Sequence, residues 1–233
     1  MTGTTREASA DGGEILLVNK PKGWTSFDVV NKLRRVLHVR KAGHAGTLDP
    51  MATGLLIVCT GRKTKEISRF MGLTKEYRAE MTLGARTPSY DTETPISSTS
   101  PLDGITGAAI RETLAGMQGS QLQTPPMYSA VKVGGRRLYR MARKGAVIDR
   151  PQRTVEIYTI DDIALDLPVV RFRVTCSKGT YVRSLVSDVG DRLGCGAYLS
   201  GLVRTGIGEH RLEHALTIED IQQRVTQAGE VNA

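Results

Sequence analysis

Apolar residues recur along this chain in two periods, one of two residues and one of three to four, and the switches between them divide it into elements. Ile15-Leu16-Leu17-Val18 is a short apolar run that predicts a strand, and Asn19-Lys20-Pro21-Lys22-Gly23 predicts the turn that ends it. Thr25 and Asp28 have the spacing of a helix start. Phe27, Val30, Leu33 and Leu37 then recur at helical intervals, with Lys32, Arg34 and Arg35 facing elsewhere. Leu55–Cys59 is a second apolar run and reads as a buried strand, while Ile67, Phe70 and Met71 predict a short helix ending at Gly72. Tyr77, Ala79, Met81 and Leu83 alternate with Glu76, Arg78, Glu80 and Thr82, the pattern of a half-buried strand.

Polar and breaker residues then take over. Thr87–Pro101, rich in Ser and Thr with three prolines, reads as a long surface loop. Thr106 is placed to cap a helix that runs to Gly116 or Gly119, and Gln123–Arg137 reads as a second long loop. Strands follow at Val155–Ile160 and Val169–Cys176. Thr180 is placed to cap a helix whose apolar stripe is Val182, Leu185, Val186, Val189 and Leu193, stopped by Gly194. Arg183 falls in the first turn of that helix, where the dipole disfavours a cation, so a partner should fix it there; Asp49 is the candidate. Residues 201–209 read as a further strand, and Thr217–Val225 as a terminal helix with Ile218, Ile221 and Val225 on one face. The small polar residues 1–13 predict disorder. With no repeat and no clear linker, 14–233 reads as one domain.

Composition narrows the class. No apolar run approaches a membrane span and no signal peptide opens the chain. Cys59, Cys176 and Cys195 are scattered, as expected of buried thiols in a reducing compartment, which points to the cytoplasm. No His/Cys cluster has metal-ligand spacing. A net charge of +8 favours a polyanionic partner, and the basic residues cluster: five in Lys32–Lys41, three in Arg62–Lys65 and five in Arg136–Lys144. Separate basic patches suit a broad footprint on a folded nucleic acid.

The chemistry concentrates in Gly43-His44-Ala45-Gly46-Thr47-Leu48-Asp49-Pro50-Met51-Ala52-Thr53-Gly54, a glycine-rich loop whose ionisable groups are one imidazole and one carboxylate. Braced by the Leu55–Cys59 strand, it would hold a reactive group on a rigid scaffold. This string resembles the catalytic motif of the TruB family of pseudouridine synthases. Further strings resemble the same family: the Lys-Pro-x-Gly turn at Lys20, Lys75-Glu76-Tyr77, Pro126-Met127-Tyr128-Ser129-Ala130-Val131-Lys132, and Cys176-Ser177-Lys178-Gly179-Thr180-Tyr181-Val182-Arg183. Together they span roughly residues 14–205.

The resemblance implies an α+β catalytic domain on a mixed, mostly antiparallel sheet, flanked by helices and by long RNA-binding loops. It implies isomerisation of uridine to pseudouridine at position 55, in the T-loop of tRNA, by a monomer that needs no cofactor, metal or guide RNA. It assigns catalysis to Asp49, Tyr77 and Arg183, and substrate binding to His44, Tyr181, Lys20 and Lys132. Asp49 would attack covalently or abstract the C2′ proton to give a glycal, two routes the sequence leaves open. Tyr77 would stack on the uracil, Tyr181 would pack beside it, and His44 would fill the vacancy left by the flipped base. Many bacterial members carry a further C-terminal RNA-binding domain, and with the sequence ending at Ala233 this chain is expected to lack it. Two other readings stand beside this one: a tRNA-binding or tRNA-folding module without essential catalysis, and a synthase acting on another or guide-selected RNA.

Overall fold

The structure, a computed structural model, describes residues 6–9, 12–129, 132–133, 136–137, 141 and 148–230. Its strands in chain order are β1 (Arg6–Ser9), β2 (Gly13–Lys20), β3 (Ala42–His44), β4 (Thr53–Thr60), β5 (Lys75–Leu83), β6 (Ala85–Arg86), β7 (Ser98–Thr99), β8 (Gly119–Gln123), β9 (Lys132–Val133), β10 (Arg136–Arg137), β11 (Arg153–Asp166), β12 (Val169–Cys176), β13 (Ala197–Ile207) and β14 (His210–Arg211). The described helices are α1 (Ser26–Val36), α2 (Ile67–Gly72), α3 (Gly107–Ala115), α4 (Val182–Arg192) and α5 (Ile218–Glu230). They form two packing units, one running to Tyr77 and resuming at Leu202, the other Arg78–Gly201, so the expected span 14–233 is divided between them. The chain passes from one unit to the other within β5 and back within β13.

In the first unit, β4 pairs antiparallel with β2 and β3 and parallel with β13, where Val203 lies opposite Thr53. Leu55–Cys59 is an unbroken apolar run because both of its faces are covered. Leu56 and Val58 join Leu16, Val18, Val30, Leu33 and Ile221 in one cluster, while Leu55, Ile57 and Cys59 join Ile15, Leu17, Ala45 and Phe70 in another. α1 starts where the sequence predicts. Thr25 Oγ1 accepts from the Asp28 N–H at 3.1 Å and Asp28 accepts from the Thr25 N–H at 2.8 Å, a reciprocal capping box. The expected apolar stripe is corrected at one position, since the buried face is Ser26, Val29, Val30 and Leu33, and Phe27 is 61% exposed. Each helical residue advances by about 100°, which carries Phe27 a quarter turn from the line of Ser26, Val30 and Leu33.

Expected disorder over residues 1–13 does not hold for Arg6–Ser9, which pair antiparallel with Gly13–Leu16. Main-chain groups of an edge strand accept a neighbour whatever its side chains, so composition alone could not show this pairing.

In the second unit, β11 pairs antiparallel with both β12 and β8. Ile110 and Leu114 of α3, Val182, Leu185, Val186 and Val189 of α4, and Val155, Ile157, Val170, Phe172 and Val174 of the strands are all buried. The surface-loop reading of Thr87–Pro101 is corrected at its start, where Thr87, Ser89 and Asp91 are buried. Their polar atoms bond locally: Thr87 Oγ1 donates to the Asp91 carbonyl at 2.7 Å, and the Glu93 N–H donates to Asp91 Oδ1 at 2.9 Å. Thr180 does not cap α4. Its hydroxyl donates to the Ser177 carbonyl at 3.0 Å, within the preceding turn, and the N-cap residue is Tyr181, with no side-chain cap. Pro125, Pro126 and Met127 are buried, so this part of the second long loop packs into its unit. Ala130, Val131, Gly134 and Gly135 lie outside the described residues, whereas the backbone of Lys132 pairs with that of Arg137.

Cys59, Cys176 and Cys195 are buried and form no disulfide. Among the described residues no helix is long and apolar enough to cross a membrane.

Candidate active site

The Gly43–Gly54 loop joins β3 to β4 and is tied down on both sides of Asp49. On one side the Leu48 N–H donates to Ser26 Oγ at 2.8 Å, and Ser26 Oγ donates back to the Leu48 carbonyl at 3.1 Å. On the other, the Pro50 carbonyl accepts from the Gly23 N–H at 2.7 Å and faces Lys20 Nζ at 3.4 Å. The Asp49 carbonyl accepts from the Ala52 N–H at 3.1 Å, which closes the turn. Asp49 itself stays partly exposed. The arrangement fixes the two flanking peptides, as a reactive group on a rigid support requires.

Two buried cations lie beneath this loop. Lys20 is fully buried, and its ammonium donates to the carbonyls of Pro21 at 2.9 Å and Trp24 at 2.6 Å as well as facing Pro50. Burial pushes its pKa down to about 8, a shift that the Asp49 carboxylate opposes and the Arg204 guanidinium assists. Arg204, on β13, is 1% exposed and donates to the carbonyls of Leu55, Gly46 and Thr47 at 2.7, 3.2 and 3.5 Å. His44 lies partly buried on β3, its Nδ1 without a hydrogen-bond partner. Burial first, and the Arg204 charge second, hold this imidazole below its usual pKa, so it is neutral at pH 7. Tyr77 is nearly buried on β5, two residues after Lys75, whose ammonium holds the carbonyls of Met71 and Leu73 at 2.7 Å each, at the end of α2.

A second cluster belongs to the other unit. Arg183 is 2% exposed in the first turn of α4. Its Nε lies 3.5 Å from Asp91 Oδ2, and its terminal nitrogens donate to the carbonyls of Ser89 at 3.0 Å and Tyr128 at 2.8 Å. The cation in an unfavourable helical position is therefore buried and set against Asp91, where the sequence reading names Asp49 as its candidate partner. Tyr181 is fixed through its backbone. Gln123 Oε1 accepts from the Tyr181 N–H at 2.7 Å while Gln123 Nε2 donates to the Tyr181 carbonyl at 3.0 Å. The Arg153 guanidinium stands 4.6 Å from the centroid of the Tyr181 ring.

Of the residues expected from the sequence, Asp49, His44, Lys20 and Tyr77 thus lie in the first unit, and Arg183, Tyr181 and Lys132 in the second. Lys20, expected to meet substrate, is a support under the loop. Its ammonium is enclosed by carbonyls and has no surface to offer. Sequence reading missed Ser26, Asp91, Gln123 and Arg204. One signal for Arg204 was available: it shares strand parity with Leu202 and Gly206, the inward positions of β13. Among the described residues no group of His, Cys, Asp and Glu could hold a metal ion.

The model of the TruB family pseudouridylate synthase N-terminal domain matches residues 34–182, and that of the tRNA pseudouridylate synthase B C-terminal domain matches residues 183–232. The chain is 49% identical over 221 residues to the tRNA pseudouridine synthase B of Parabacteroides distasonis, covering 92% of this chain and 94% of that one. Identity to the protein of the same name from Geobacillus kaustophilus is 47% over 217 residues, covering 90% and 76%. Among solved structures, the chain superposes on one of a Cbf5-Nop10-Gar1 complex with a TM-score of 0.73 at 27% identity, covering 100% of this chain and 65% of that one. A structure of an archaeal box H/ACA sRNP Nop10-Cbf5 complex gives a TM-score of 0.71 at 26% identity, covering 100% and 64%.

Proposed function

The chain belongs to the TruB family of pseudouridylate synthases, and on that premise we propose that it isomerises uridine to pseudouridine at position 55 in the T-loop of tRNA. The observation that carries the proposal is the setting of Asp49: a partly exposed residue whose two flanking peptides are both clamped, with a buried ammonium close enough to feel its charge. The reaction breaks the C1′–N1 bond and forms a C1′–C5 bond; the C5 proton leaves and N1 ends protonated. Asp49 serves it either by attacking C1′ or by taking the C2′ proton. Both routes need an ionised carboxylate held in one orientation.

In this reading Tyr77 stacks on the uracil, Tyr181 packs beside it, and Arg183 serves catalysis from its buried place against Asp91. His44, neutral, fills the space of the flipped base without adding charge, and Lys132 adds a substrate contact. Lys20 acts from below the loop. The protein works as a monomer in the cytoplasm with no cofactor, metal or guide RNA. Its net charge of +8 supplies the attraction to RNA.

A guide-selected substrate is the second reading, favoured by the likeness to Cbf5 in solved complexes. Incubating this protein alone with a bare T-arm hairpin and mapping pseudouridine separates the two. Stoichiometric product at the T-loop uridine is expected. An unmodified hairpin that gains pseudouridine only when a guide RNA is supplied would favour the second.

A further inference from the structure

We propose that Arg204 is the positioning residue of the Asp49 loop, spanning its two ends with one planar fork. The inference rests on the reading that Asp49 reacts. Arg204 reaches the site from a strand 149 residues away from Leu55 in sequence. β13 runs parallel to β4 with Arg204 opposite Gly54. Gly54 has φ +102°, and a Cβ there would overlap the backbone of Arg204, so only glycine allows this approach. The side chain then passes under the loop. Nε holds Leu55, the first residue after the loop, while the two terminal nitrogens hold Gly46 and Thr47, where the loop leaves β3. Asp49 lies on the segment between these anchors.

The chemistry of this burial is unusual. Among the described residues Arg204 makes no salt bridge; its charge is met by neutral carbonyls alone. A buried charge is often replaceable by an apolar side chain without loss of stability, so stability is a poor reason for an arginine here. Geometry is a better one. A lysine ammonium gathers carbonyls around one point on a flexible stem, as Lys20 does, whereas a guanidinium presents its donors in one rigid plane wide enough to span both ends of the loop. The same charge also reaches His44 and Lys20, lowering the pKa of each.

The test compares Arg204→Lys and Arg204→Met with the wild type and with Asp49→Asn, on tRNA and by NMR. A misplacement of about 1 Å is worth roughly 100-fold in rate. Both Arg204 variants should therefore lose ten- to 100-fold in kcat, with KM within about three-fold. The amide protons of Ala45 and Ala52 should exchange faster in Arg204→Lys. The His44 imidazole should titrate higher in Arg204→Met and remain low in Arg204→Lys. These readouts separate positioning from bulk stability, and Arg204→Lys decides the matter if the Met variant does not fold. An Arg204→Lys protein with wild-type kcat and unchanged Ala45 and Ala52 exchange overturns the inference while an inactive Asp49→Asn leaves the parent reading intact. An active Asp49→Asn overturns the parent reading and this inference with it.

Discussion

The two units bury their cations in opposite ways. In the first, Lys20 and Arg204 are surrounded by backbone carbonyls and make no salt bridge among the described residues. In the second, Arg183 is set against the buried carboxylate of Asp91. Carbonyls orient a cation but leave its net charge uncancelled, so in the first unit the field of Lys20 extends to the Asp49 carboxylate. A buried ion pair cancels most of its own field and mainly fixes geometry. One region is built to hold charge and the other to hold shape, which predicts different responses to mutation.

The largest effect should come from breaking the shape-holding pair. Asp91→Asn removes the carboxylate set against the buried Arg183, and loss of one partner of a buried pair costs about 3–5 kcal/mol. Arg183→Lys keeps the charge and loses the fork that joins Asp91, Ser89 and Tyr128. Activity should fall by about 100-fold or more, and stability by about 1–3 kcal/mol for the carbonyl left unpaired. That loss is larger than sequence alone suggests, because sequence gives no sign of the Ser89 and Tyr128 contacts. Denaturant melts and single-turnover rates check both variants. Wild-type stability in Asp91→Asn would remove the distinction between the two regions.

What the sequence made legible was local. The Thr25–Asp28 box, the alternation through β5 and the doubly covered run Leu55–Cys59 all declare themselves within a few residues. So did the Gly43–Gly54 loop, through its glycines and its resemblance to a known motif. What stayed hidden was long-range. Asp91 sits in a stretch of Ser, Thr and Glu indistinguishable from a surface loop until Arg183, 92 positions on in the numbering, is brought to it. Gln123 reads as an ordinary polar residue until the Tyr181 backbone lies across it. Phe27 failed for another reason: two apolar stripes fit the same short segment, and packing selected the one through Val29.

A smaller effect should appear on the charge-holding side. Lys20 has a folded pKa of about 8, below its usual 10.5. Between these values the unfolded chain binds more protons than the folded one, so this group makes stability rise with pH across about 8 to 10.5. The charge facing Asp49 is present below pH 8 and lost above it. Lys20→Met should therefore remove that rise, flatten the alkaline fall in the rate, and lower its plateau below pH 8. Melting temperatures and pH–rate profiles from pH 6.5 to 10 measure both; an unchanged alkaline limb in the variant would detach Lys20 from the chemistry.

The smallest effect tests a partly buried carboxylate whose desolvation the nearby Arg192 charge only partly offsets. On α4, burial and then the neighbouring Asp191 charge push the Asp188 pKa up to about 6 from its usual 3.8. Here the folded chain binds more protons between those values, so stability falls as pH rises through that window. Asp188→Asn should be more stable than the wild type above pH 6 by about 1–2 kcal/mol, or a few degrees, and equal to it near pH 3.5. A gain of the same size at both pH values would mean that ionisation is not the cause.

In the proposed mechanism the Asp49 carboxylate, held on a clamped loop, does the chemistry. Its most direct test is Asp49→Asn with a T-arm hairpin, measuring pseudouridine formation and RNA affinity in the same samples. The account predicts no product above background and a dissociation constant within a few-fold of the wild type, because the carboxylate reacts with the substrate and does not attract its phosphates. Turnover at anything near the wild-type rate in that variant would contradict it.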